Sequence, residues 1–143
     1  MPSVRGNIYN PGHYYSDARE TFSAENTSSG TTDATGQYRA QIKRTHAPKP
    51  PLILIGEVKC LAVDGGFFQA RGVITDVQHG APDVPGPAGF ILWGYDSGKH
   101  SAEPDYYYVH YEQEPQLEGC VAPTTTEDMT LIQEGDIDVT DDT

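Results

Sequence analysis

Basic residues are scarce: Lys and Arg number 9 against 21 Asp and Glu, a formal charge of −12 over 143 residues. Nucleic-acid surfaces and anionic-lipid anchors both need clustered cations, so neither a nucleic acid nor a membrane is expected as a partner. Cysteine is rarer still. Cys60 and Cys120 are the only two, too few for a disulfide-dense mini-scaffold or a four-cysteine zinc site. No apolar run approaches the ~20 residues of a membrane-spanning helix. No window carries an apolar stripe at helical spacing, which leaves little room for α-structure. The start, MPSVRGNIYN, lacks the apolar stretch of ~7–15 residues that a secretory signal requires. The expectation is a chain never exported by that route, one whose signal has been removed, or one released by lysis.

Motifs for chemistry are missing as well. The nucleophile elbow GxSxG, the phosphate loop GxxxxGK[ST], the dinucleotide GxGxxG and the zinc motif HExxH do not occur. Five histidines, His13, His46, His79, His100 and His110, lie scattered without ligand spacing and read as loop residues. No catalytic residue, cofactor or metal ligand is therefore assigned, and the chain is expected not to be an enzyme.

What the chain has is strand signal. Residues 21–25 and 37–43 alternate apolar and polar side chains, and 51–63 is longer and more apolar, with Gly56 in its middle. Asp64-Gly65-Gly66 marks a hairpin turn, because glycine accepts positive φ without a Cβ penalty. Residues 67–77 return as the partner strand, and 89–96, 105–111 and 129–139 complete the set. Loops are expected at 27–35, nearly all Ser, Thr and Gly, and at 80–88, which holds three prolines. About eight or nine short strands in a chain of single-domain length predict an all-β fold, an antiparallel β-sandwich of jelly-roll or immunoglobulin-like type. The sandwich is placed at 17–143. Residues 1–16, with Pro2 and Pro11, read as an extended amino-terminal arm; the alternative is that they supply the first strand of the sandwich itself.

Several residues stand out within that frame. Cys60 and Cys120, on neighbouring strands, would form a bridge that stabilises by roughly 4 kcal/mol in the chain-entropy model; otherwise they are two buried thiols. Seven of the acidic residues fall after position 126, but Ile137 and Val139 alternate with Asp136 and Asp138, so this end reads as a strand rather than a disordered tail. In the run Tyr106 to Tyr111, one face holds Tyr106, Tyr108 and His110, the other Tyr107, Val109 and Tyr111. One face belongs to the core and the other offers tyrosines to a protein or a sugar; Tyr107 and Tyr111 are taken as interaction candidates. Ile8, Tyr9, Tyr14 and Tyr15 are the corresponding candidates in the arm. Trp93 is expected in the core.

The stretches TGQYRAQIK, GEVKCLAVDGGFFQARGVITDV, GFILWGYDSGK and GDIDV, with the late Cys120, resemble a small β-sandwich module of secreted or surface proteins of actinobacteria, some labelled post-COAP. The resemblance spans about residues 20–139. It implies a sandwich fold and an extracellular setting, and brings no catalytic residue. Together with the missing signal, it leads to the expectation of a non-enzymatic structural or binding protein, an accessory part of an extracellular assembly such as a phage virion. Its partners would be capsid or tail subunits, or further copies of itself. The alternative is a secreted surface module that binds a ligand or carbohydrate.

Overall fold

A computed structural model describes residues 1–13, 16–28, 30–44, 51–78, 88–98, 105–132 and 134–140. Among them there is no helix. Nine strands follow one another: β1 (Ser3–His13), β2 (Ser16–Asn26), β3 (Ala34–Arg44), β4 (Leu52–Asp64), β5 (Phe67–Gln78), β6 (Gly89–Tyr95), β7 (Tyr106–Glu112), β8 (Thr130–Leu131) and β9 (Glu134–Thr140). All nine belong to one antiparallel sheet in the order β8-β7-β6-β5-β4-β3-β2-β1-β9. The chain is thus a meander of hairpins until β9, which returns to pair with β1.

The sheet curls until its halves face each other. Phe22 on β2 packs against Phe68 on β5, ring centroids 5.7 Å apart, and Tyr38 on β3 stacks on Phe90 of β6 at 4.5 Å. Four interior rings each face a glycine across the neighbouring strand: Phe22 opposite Gly6, Tyr38 opposite Gly56, Phe68 opposite Gly94 and Phe90 opposite Gly72. A large ring beside a missing side chain lets the strands bend tightly without overfilling the interior. Bulges add to the bend. At Lys59 one extra residue separates the pairs Val58–Gly72 and Cys60–Arg71, so Val58 and Leu61 both point inward while Cys60 turns to the outer side.

The amino-terminal arm expected at 1–16 is corrected by this pairing. Ser3–His13 is an interior strand of the sheet, bonded to β2 on one side and β9 on the other. Val4 and Ile8 are buried, and Arg5 and Asn7 between them face out. The prolines suggested an unpaired segment because they cannot donate to a ladder. Pro2 instead precedes the strand, where its carbonyl accepts the Asn26 N–H, and Pro11 falls where the β1–β2 register is irregular. At the other end the expected alternation is present: Ile137 is fully buried and Asp136 exposed.

Candidate functional site

Antiparallel sheets place polar residues on their solvent face by default. On β5–β8 this chain departs from that rule. Phe68, Ala70, Phe90, Leu92 and Tyr107 point inward, so the residues between them face out. The register aligns those outward residues in rows across the strands: Phe67, Tyr95, Tyr106 and Leu131 in one, Gln69, Trp93 and Tyr108 in the next, Arg71, Ile91 and His110 in the third. Phe67 and Tyr95 rings lie 4.5 Å apart and Trp93 and Tyr108 rings 4.9 Å apart. The result is a half-exposed aromatic platform. Tyr108 is 38% exposed and Leu131 45%.

A loop after β7 forms a rim beside the platform. Cys120 is bonded to Cys60, with Cα atoms 6.0 Å apart, which realises the bridge weighed from the sequence. The outward turn of Cys60 at the bulge makes this possible. Polar contacts pin the same loop: Arg71 Nη1 donates to the Glu118 carbonyl at 2.9 Å, and the Val121 N–H donates to Gln69 Oε1 at 3.0 Å.

The interaction candidates separate by face. Tyr107 and Tyr111 point into the curled sheet, and the tyrosines on its outer face are Tyr106 and Tyr108; this corrects the faces expected from the sequence. Tyr107 is buried, and the Tyr111 hydroxyl lies 2.6 Å from that of Tyr38. Ile8 is core, also a correction. Tyr9 faces out with the Arg19 guanidinium 4.2 Å above its ring. Tyr14 and Tyr15 lie outside the described residues, as do His46, His79 and His100. Trp93 is corrected from core to platform. The period-two pattern could not decide this, because in GFILWGY both sets of alternating residues are apolar. What orients the strand is Gly94, whose missing side chain makes room for the Phe68 ring.

Inside the sheet sits an acid that the sequence reading passed over. Glu20 is 3% exposed, and its Oε1 accepts a hydrogen bond from the Tyr38 hydroxyl at 2.5 Å. Burial raises its carboxyl above the ordinary glutamate range, opposed in part by hydrogen bonds from Tyr38 and Tyr107. Burial, with Glu20 nearby, likewise raises the Tyr38 and Tyr111 hydroxyls. These groups satisfy one another. Their arrangement is that of a packed polar core.

Where β9 would otherwise be a bare edge, two carboxylates hold it. Asp105 Oδ2 accepts the Ile137 N–H and Asp96 Oδ2 the Val139 N–H, each at 2.9 Å. Partial desolvation, then the neighbouring Asp105, Asp138 and Asp96, raises the Asp136 carboxyl. Among the described residues, no group of three or more His, Cys, Asp or Glu side chains is set to hold a metal ion.

On the far half of the sheet, an open cleft of about 600 Å³ runs across β9, β1, β2 and β3 to Ile55 of β4. Comparison of the chain with protein-family models, with curated proteins and with solved structures found no match, so the reading of function rests on these surfaces alone.

Proposed function

We propose that the protein is a non-enzymatic, two-layered β binding module that works outside the reducing cytosol and holds carbohydrate on its aromatic platform. The observation that carries this reading is the outward pairing of Trp93 with Tyr108, flanked by Phe67, Tyr95 and Tyr106. Sugar rings present a face of C–H groups, and the negative face of an aromatic ring attracts such positive edges. Rings on a sheet are also stiff, so little entropy is lost on binding. Gln69 in the row of Trp93 and His110 in the next row supply polar groups for ring hydroxyls. The Cys60–Cys120 bridge fits an oxidising setting, since disulfides persist there and are rare in the cytosol.

The chain holds a single tryptophan, so its fluorescence reports directly on the platform. Titration with soluble cello-, xylo- and N-acetylchito-oligosaccharides should perturb the Trp93 emission, and Trp93→Ala or Tyr108→Ala should abolish retention on the corresponding insoluble polymer. Emission unmoved by every one of these sugars would remove the carbohydrate reading.

A second reading, a subunit of an extracellular assembly such as a virion, is favoured by the exposed Leu131 and Tyr108 at the platform's edge. Exposed apolar side chains grouped on one face are a common mark of protein contact. Sedimentation that shows concentration-dependent association, lost in Leu131→Asp, would favour it over sugar binding.

A further inference from the structure

The cations of this acidic chain are not spread evenly over its surface. Arg5, Arg19, Arg39 and Lys43 all face outward on the three adjacent strands β1, β2 and β3. The outward acids of those strands, Asp17 and Glu25, lie toward the ends, and Glu20 points inward, so on these three strands the two middle rows hold no carboxylate. One row runs Asn7, Thr21, Arg39 and the other Arg5, Ser23, Gln37. Asp136 and Asp138 head these rows from β9, and on the β4 side the first row meets Ile55 while the second meets the exposed Glu57. Among the described residues neither Arg5 nor Arg39 forms an ion pair. Both arginines border the cleft of about 600 Å³.

We infer that this cleft is a second binding site, distinct from the aromatic platform, and that it takes a carboxylate-bearing oligosaccharide of the uronic acid type. Guanidinium presents a planar fork that matches a carboxylate, and it needs no change of protonation to do so. Asn7, Thr21, Ser23 and Gln37 stand between and beside the two arginines and offer the short donors and acceptors that ring hydroxyls require. Asp136 and Asp138 at one end, and Glu57 beyond Gln37, repel an anion yet accept hydroxyl protons, so the sugar carboxylate is directed toward Arg39, whose neighbour on β4 is the apolar Ile55. An extended acidic peptide fits less well. Peptides gain affinity on a sheet by pairing with a free edge, and β1, β2 and β3 are each hydrogen-bonded on both sides. The net charge of −12 does not forbid the contact, because screening confines exposed charges to about 8 Å at physiological salt.

The probe is tetragalacturonate, with its methyl ester as a neutral ligand of the same backbone, titrated into the isotope-labelled chain and followed by amide shifts and by calorimetry. The acid should bind at least about tenfold more tightly than the ester and shift the amides of Asn7, Thr21 and Gln37. Arg5→Gln and Arg39→Gln should each weaken it about tenfold, while Lys59→Gln, the same charge change outside the cleft, should leave it nearly unchanged. Equal binding of acid and ester, no binding of either, shifts confined to the surroundings of Trp93, or equal weakening by Lys59→Gln would overturn the inference. So would tighter binding of a hexaglutamate peptide than of tetragalacturonate. If an arginine variant fails to fold, the shift map of the unaltered chain decides.

Discussion

Phe22 lies flat over Gly6: a Cβ placed on Gly6 would stand 2.2 Å from the ring's Cζ, and the three nearest atoms it would meet all belong to that ring. The two residues are direct cross-strand partners, buried in the interior of the curl. Gly6→Ala must therefore displace a packed ring, and overfilling of this kind costs about 1–3 kcal/mol. The double variant Gly6→Ala, Phe22→Leu should cost clearly less than the sum of the two single effects, because the clash then has no ring. Urea unfolding of the three variants checks this, and strict additivity would mean the strands simply move apart.

Reduction of Cys60–Cys120 should weaken the fold as well. The bridge joins residues 60 apart in sequence, so its loss frees the unfolded chain by roughly 4 kcal/mol in the chain-entropy model. Unfolding midpoints of the Cys60→Ser, Cys120→Ser double variant should fall accordingly. Amide exchange at Val121 should rise most, since the rim loop then hangs on the contacts to Arg71 and Gln69.

Glu20 makes stability depend on pH. Its carboxyl titrates higher in the fold than in the unfolded chain, so the folded state binds the extra proton. That contribution is complete below the ordinary glutamate range, near pH 4, and is lost as pH rises through the folded value. Glu20→Gln keeps an acceptor for Tyr38 and removes the ionisation. The fall in Tm between pH 4.5 and pH 8 should be smaller in Glu20→Gln than in the unaltered chain. An equal fall in both would show that Glu20 does not govern it.

Asp105 ties three elements together, accepting from Ile137 N–H through one oxygen and from Ser97 N–H and Oγ through the other. Hydrogen bonds to a charged group are worth about 1.5–3 kcal/mol. Asp105→Ala should lower stability by about that much and raise hydrogen exchange along β9 before the rest of the sheet. Unchanged protection of Ile137 would mean that pairing with β1 alone secures the strand.

Alternation by twos, the hairpin turn at Gly65-Gly66 and the lack of helical spacing are local properties, so β3 to β7 and the terminal strand could be read from the residues themselves. The all-β class followed, as did the strand character of Ile137 to Val139. The arm could not be read correctly, because a strand's place in a sheet depends on partners far along the chain, and β1 finds one of its two in β9. The faces of Trp93 and Tyr107 were equally undecided. Where both alternating sets are apolar, local pattern carries no direction, and only the fit of rings against glycines on neighbouring strands chooses one. Glu20 is the clearest case. An acid between Arg19 and Thr21 looks like any solvent-facing strand residue, and it becomes a buried partner of tyrosines only when β3 and β7 curl around it.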